Sequence, residues 1–141
     1  MKKRTFAALG LLTLLASTCA FGRQAMKVSV PFEFHVGATV MPAGEYHLNW
    51  SFGLSNHLLL LESDDSQTRM WILADDVLNA HDGRTQGSVV FHKYGDAYFL
   101  SEVWSFGSDV GSALHESKVE REAALHAALR RRSLVVLAAR R

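Results

Sequence analysis

The 141-residue chain is 48% hydrophobic and 21% charged, proportions that fit one globular domain and exclude a disordered or low-complexity segment. Its 15 Lys and Arg nearly balance its 14 Asp and Glu, which excludes a strongly basic nucleic-acid binder. A single cysteine excludes an intrachain disulfide and a multi-cysteine metal cluster.

Met1 to Arg4 is a basic stretch, Phe6 to Ala16 is uncharged and mostly apolar, and Ser17 to Ala20 supplies small residues. These are the three parts of a secretory signal peptide, placed at residues 1–22. Cleavage after Ala20 or Gly22 puts small residues where the peptidase needs them; Ala25 fits less well because Arg23 stands at one of those positions. The apolar run is too short to span a bilayer, which takes about 20 residues. Cys19 is a poor lipidation site, since Ala16 and Thr18 occupy the positions where such a signal carries Leu and then Gly or Ala. The expectation is export, to the periplasm or outside the cell. Loss of Lys2, Lys3 and Arg4 takes the net charge from +1 to −2. That charge is uneven: residues 26–106 hold four basic groups against ten acidic ones, and residues 107–141 hold seven against four.

Residues 23–106 read as an antiparallel β domain. Val28, Val30, Phe32, Phe34 and Val36 alternate with polar neighbours, the period of a strand with one wet face, and Pro31 marks an edge or a bulge. Met41 to Gly44 is a turn, and Tyr46, Leu48 and Trp50 give a second half-buried strand. Leu58 to Leu61 predicts a strand buried on both faces, and Thr68 to Leu73 returns as the fourth after the turn at Asp64 to Gln67. Asp75 to Gly87 is polar and predicts a loop or short helical turn. Ser88 to Lys93 and Ala97 to Trp104 flank Tyr94-Gly95-Asp96, the clearest hairpin signal in the chain. The fold class expected is mainly β, a small antiparallel barrel or sandwich of about six strands, with a C-terminal α-helix.

Residues 107–141 read as a loop followed by a basic helix. Ser117 and Glu120 have the spacing of a capping box, and the Ala, Leu, Glu and Arg content favours a helix to Arg132 or beyond. Leu134 to Ala139 is apolar but too short for a membrane span.

Four segments carry a family resemblance: Val30 to Phe34, Met41 to Tyr46, Val90 to Asp96 and Tyr98 to Trp104. In their order the chain resembles, over about residues 26–122, a group of small uncharacterised secreted proteins of Acidobacteria-type soil bacteria. The resemblance implies a signal peptide, a β-rich body and a Lys/Glu/Arg-rich end. The group has no established activity, so no catalytic residue carries over. The chain departs from the pattern in the polar stretch 75–87 and in its Arg-rich, apolar end after Ala124.

Seven histidines raise the question of a metal. Glu33, His35 and His47 could meet if their strands pair, and would then offer imidazole and carboxylate to Zn²⁺ or Cu²⁺. A solvated sheet face explains them as well, and no close ligand motif such as H-E-x-x-H is present. His115, Glu122 and His126 recur along the helix and read more simply as a solvated helical pair. No cofactor is expected. There is no G-x-S-x-G elbow, and the adjacent acids Asp64-Asp65 and Asp75-Asp76 suit turns. By elimination the expected function is a secreted, non-enzymatic binding or interaction module of the bacterial envelope. The basic helix is its candidate contact, through Leu125, Leu129, Arg130, Arg131 and Arg132, with an unknown protein or envelope component or an anionic membrane surface as partner. The alternative is a small apolar-ligand carrier with a barrel cavity.

Overall fold

A computed structural model describes residues 25–51, 57–78, 86–127 and 132–139. Over these the chain is mainly β with one helix. In chain order the strands are β1 (Ala25–Val30), β2 (Phe34–Val36), β3 (Thr39–Met41), β4 (Gly44–Trp50) and β5 (Leu58–Ser63). They continue with β6 (Arg69–Leu78), β7 (Ser88–Tyr94), β8 (Ala97–Trp104) and β9 (Val110–Leu114). The helix α1 (Lys118–His126) and the strand β10 (Arg132–Leu137) follow.

Hydrogen-bonded neighbours run β1-β4-β5-β6-β9-β8, all antiparallel. One side of β8 carries β7 and, beyond it, β10. The other side is shared by β9, at residues 102–104, and by β2, which meets it in parallel at Phe99 and carries β3. β10 comes back to β1 through the bridge Lys27–Ala139, where the Ala139 N–H donates to the Lys27 carbonyl at 3.0 Å. One bridge stands there in place of a ladder, so the sheet is not closed.

The alternation from Val28 to Val36 is present, but it belongs to two strands. Pro31 has no N–H to give a ladder, and at this point the chain leaves the edge of β4 and crosses to β8. Val28, Val30, Phe34 and Val36 are all buried on the inner side. A further break in the pattern lies in β8. Val90 pairs with Glu102 and Phe91 with Leu100, which leaves Ser101 as the extra residue of a bulge. The bulge keeps Leu100 and Val103 both inside. It turns Ser101 to the opposite face, beside His92.

The core is one cluster drawn from both ends of the sheet path. A line of rings crosses it. Tyr98 stacks on Phe32 at 4.0 Å, Phe32 meets Phe91 edge-on at 5.2 Å, and Phe34 meets both Phe91 and Tyr46 edge-on at 5.3 Å. Such pairs add about 0.5–1.5 kcal/mol each beyond the area they bury.

Four expectations are corrected. The reading of about six strands undercounts, for the described chain has ten. β3 is three residues long, β9 contains Gly111 and Ser112, and β1 and β2 read as one strand. The polar stretch 75–87 does not begin as a loop, because β6 continues through Leu78 on the edge of β9. The helix does not reach Arg132. It ends at His126, with Ala127 as C-cap. Val135 and Val136, β-branched residues suited to a strand, lie opposite Val90 and Val89 in β10. Residues 107–141 are therefore not simply a loop and helix but supply two strands of the sheet as well. Finally, Leu58 to Leu61 is buried on one face: Leu59 and Leu61 lie inside, while Leu58 and Leu60 are partly exposed.

Candidate functional site

The outer face of β7 and β8 is where polar chemistry collects. Strand alternation sends Phe91 inward and His92 outward, and the bulge delivers Ser101 to the same side. The helix arrives over them from its own local signals. Ser117 is the N-cap, its Oγ accepting from the Glu120 N–H at 3.0 Å and donating to the Gly37 carbonyl at 3.1 Å. The cap half of the expected capping box is present. Glu120 itself does not turn back to complete the box. It points into the sheet and is the buried residue of α1.

There Glu120 Oε1 lies 2.9 Å from His92 Nδ1 and accepts from the Tyr94 hydroxyl at 3.4 Å. On the far side of the imidazole, Ser101 Oγ lies 2.9 Å from Nε2. His92, Ser101 and Glu120 are 5%, 7% and 4% exposed. Glu116, just before the helix and exposed, brings its carboxylate into the same neighbourhood; the donor atoms of His92, Glu116 and Glu120 all lie within 4.8 Å of one another. Among the described residues this is the one group of three or more such side chains close enough to share an ion. Ser101, His92 and Glu120 also have the connectivity of a hydrolase relay. A nucleophile must reach a substrate carbonyl, however, and these side chains are buried where α1 meets the sheet.

The expected metal ligands are not brought together. The strand pairing explains why: β1 pairs with β4, setting Lys27 opposite His47, whereas the half of the first predicted strand that holds Glu33 and His35 goes to β8. His47 Nε2 lies 2.8 Å from Asp64 Oδ1, and Lys27 Nζ binds both Glu45, at 2.5 Å, and Asp64, at 3.2 Å. This surface network holds the Asp64 carboxyl below the usual carboxylate range, chiefly through the His47 contact and then through Lys27. It raises the Lys27 amine, through Glu45 first. His35 stacks on Phe99 with ring centroids 4.6 Å apart, and Glu33 is exposed between β1 and β2. Of the expected contact residues, Leu125 is 84% exposed on α1. Arg132 opens β10 opposite Lys93. Leu129, Arg130 and Arg131 lie outside the described residues. His115 pairs with Asp75 at 2.9 Å, and Lys118 approaches Glu122 at 3.9 Å.

A second feature is apolar. The outer face of β5 and β6 sets Leu58 opposite Leu73 and Leu60 opposite Trp71. Trp71 is 58% and Leu73 64% exposed. Arg69, joined to Glu62 at 2.6 Å, stands at one end of this patch, and Asp75 at the other. The Arg69 guanidinium holds the Glu62 carboxyl below its ordinary range. Sequence reasoning missed His92, Ser101 and Glu120 because a bulge and a helix approach bring them together. It missed the patch because alternate residues in an apolar run do not say which face is covered. No family model, curated protein or solved structure matches the chain.

Proposed function

We propose that the protein is a secreted, non-enzymatic binding module of the bacterial envelope, exported on the signal peptide of residues 1–22. The observation that carries the reading is the outward quartet Leu58, Leu60, Trp71 and Leu73. Two large side chains more than half exposed, each directly opposite a leucine, form a contiguous apolar patch, and such patches mark interaction surfaces. The partner we infer is an envelope protein that presents an apolar ridge flanked by Lys or Arg. The flanks answer the charge of the body, where residues 26–106 hold ten acidic groups against four basic ones.

The core favours this reading over a ligand carrier. Phe34, Tyr46, Phe91, Leu48 and Leu61, each at most 2% exposed, pack in one core cluster, with Phe34 edge-on to both Tyr46 and Phe91. A photo-crosslinking residue at position 71, with a second at exposed Ser29 as control, tests the proposal in a producing bacterial host. A discrete protein adduct from position 71 and not from position 29 is expected, and Leu73→Ser should abolish it. Equal adducts from both positions, or a co-purifying lipid with no protein adduct, would overturn it.

A further inference from the structure

We propose that His92, Glu116 and Glu120 form a divalent-metal site of the zinc class where α1 meets the sheet. The donor atoms of the three side chains lie within 4.8 Å of one another. Two ligands of a tetrahedral zinc ion with bonds of about 2.0 Å stand about 3.3 Å apart. His92 Nδ1 and Glu120 Oε1, now 2.9 Å apart, would open by a few tenths of an ångström to admit the ion. One imidazole and two carboxylates make a donor set that suits Zn²⁺ and Co²⁺, and two carboxylates balance the charge of a divalent cation.

The second observation lies on the other side of the ring. With Ser101 Oγ, 2.9 Å from His92 Nε2, accepting that N–H, Nδ1 is the nitrogen left for an ion, which would replace the proton Nδ1 shares with the Glu120 carboxylate. Metal-bound histidines are fixed in this way by an outer partner that sets ring orientation and tautomer. Ser101 occupies that place because it is the bulge residue of β8. The Tyr94 hydroxyl, 3.4 Å from Glu120 Oε1, steadies the buried carboxylate from the sheet side. Glu116 is exposed and His92 and Glu120 are buried, so an ion enters from the solvent side and closes the contact between β7 and α1. Three protein ligands leave a further position for water. The site stands independently of the apolar patch on β5 and β6.

The test is titration of the purified chain with Co²⁺, read by its visible absorption, and with Zn²⁺ in competition with a chromophoric chelator. One equivalent is expected. Glu116→Gln, a change of nearly equal shape at an exposed side chain whose metal-free thermal midpoint is measured alongside, weakens binding by about 100-fold or more. Ser101→Ala, which changes the outer partner, weakens it by about 10- to 100-fold. His47→Ala, at the surface pair with Asp64, leaves it unchanged. No stoichiometric binding at about 1 mM Co²⁺, or an affinity indifferent to Glu116→Gln, would overturn the site.

Discussion

Replacing Glu120 by alanine should release α1 from the sheet and leave the sheet folded. α1 has nine residues, and its buried side chain is Glu120. Its tethers include Glu120 to His92 and Tyr94, and Ser117 Oγ to the Gly37 carbonyl. Removing one member of a buried pair costs about 3–5 kcal/mol, and the low end applies here because His92 keeps its contact with Ser101. A helix this short has no independent stability to absorb that loss, since isolated helices need about 12–15 residues. A loss of about 3 kcal/mol corresponds to roughly a hundredfold increase in local opening. Native-state hydrogen exchange read by mass spectrometry measures it. Peptides covering residues 117–127 should lose about two orders of magnitude of protection while those of β4 and β5 keep theirs. Unchanged protection in α1, or an equal loss in both regions, would refute the reasoning.

Gly111→Ala should destabilise the fold by about 2 kcal/mol, within the range for overpacked sites. A Cβ there would stand 2.7 Å from two atoms of the Trp104 ring, which is 2% exposed and held by its Nε1–H to Glu102 at 2.9 Å. Urea unfolding measures it, and in a Trp104→Leu background the cost should largely vanish; an equal cost in both backgrounds would count against the clash. Acid should destabilise the protein through Glu62, Asp64 and Asp65, whose carboxyls are all held below their ordinary values. For Asp65 the cause is first the Ser63 hydroxyl and then the Gln67 N–H. Groups depressed in the folded state contribute stability that is fully present above the unfolded values, about 3.9 for Asp and 4.3 for Glu, and is lost as pH falls through the lower folded ones. Thermal midpoints followed from pH 6 downward should therefore drop less steeply in Asp64→Asn, and an unchanged acid limb would remove that carboxylate from the account.

Period-two segments were legible in the sequence where one face is buried and the other wet. β4 is the clear case, with Tyr46 and Leu48 inside and Glu45 and His47 outside. The hairpin of β7 and β8 was legible from Gly95, whose φ of 58° suits the turn between them. Ser117 announced the start of α1. Pairing partners were not legible. Nothing local to Pro31 says that the chain crosses from β4 to β8 there, and nothing local to Val135 says that β7 has a vacant edge. β9 was hidden because its Gly111 answers to the Trp104 ring and not to a strand pattern. The polar cluster failed for the same reason. His92 interrupts an apolar strand, Ser101 sits between Leu100 and Glu102, and Glu120 matches a capping motif, so each has an ordinary local explanation. Their meeting depends on a one-residue bulge and on the direction from which the helix approaches.

The bridge from Lys27 to Ala139 also bears on the order of assembly. β10 lies between two strand edges, that of β7 through a full ladder and that of β1 through a single contact. Until β10 is in place, both edges offer unpaired N–H and carbonyl groups, the template on which strands of other chains add. In a chain made from its N-terminus, β10 is the last of the ten described strands to appear. The nascent sheet thus carries both open edges from the completion of β7 until β10 emerges, and covers them in one late, long-range step of the kind that slows folding.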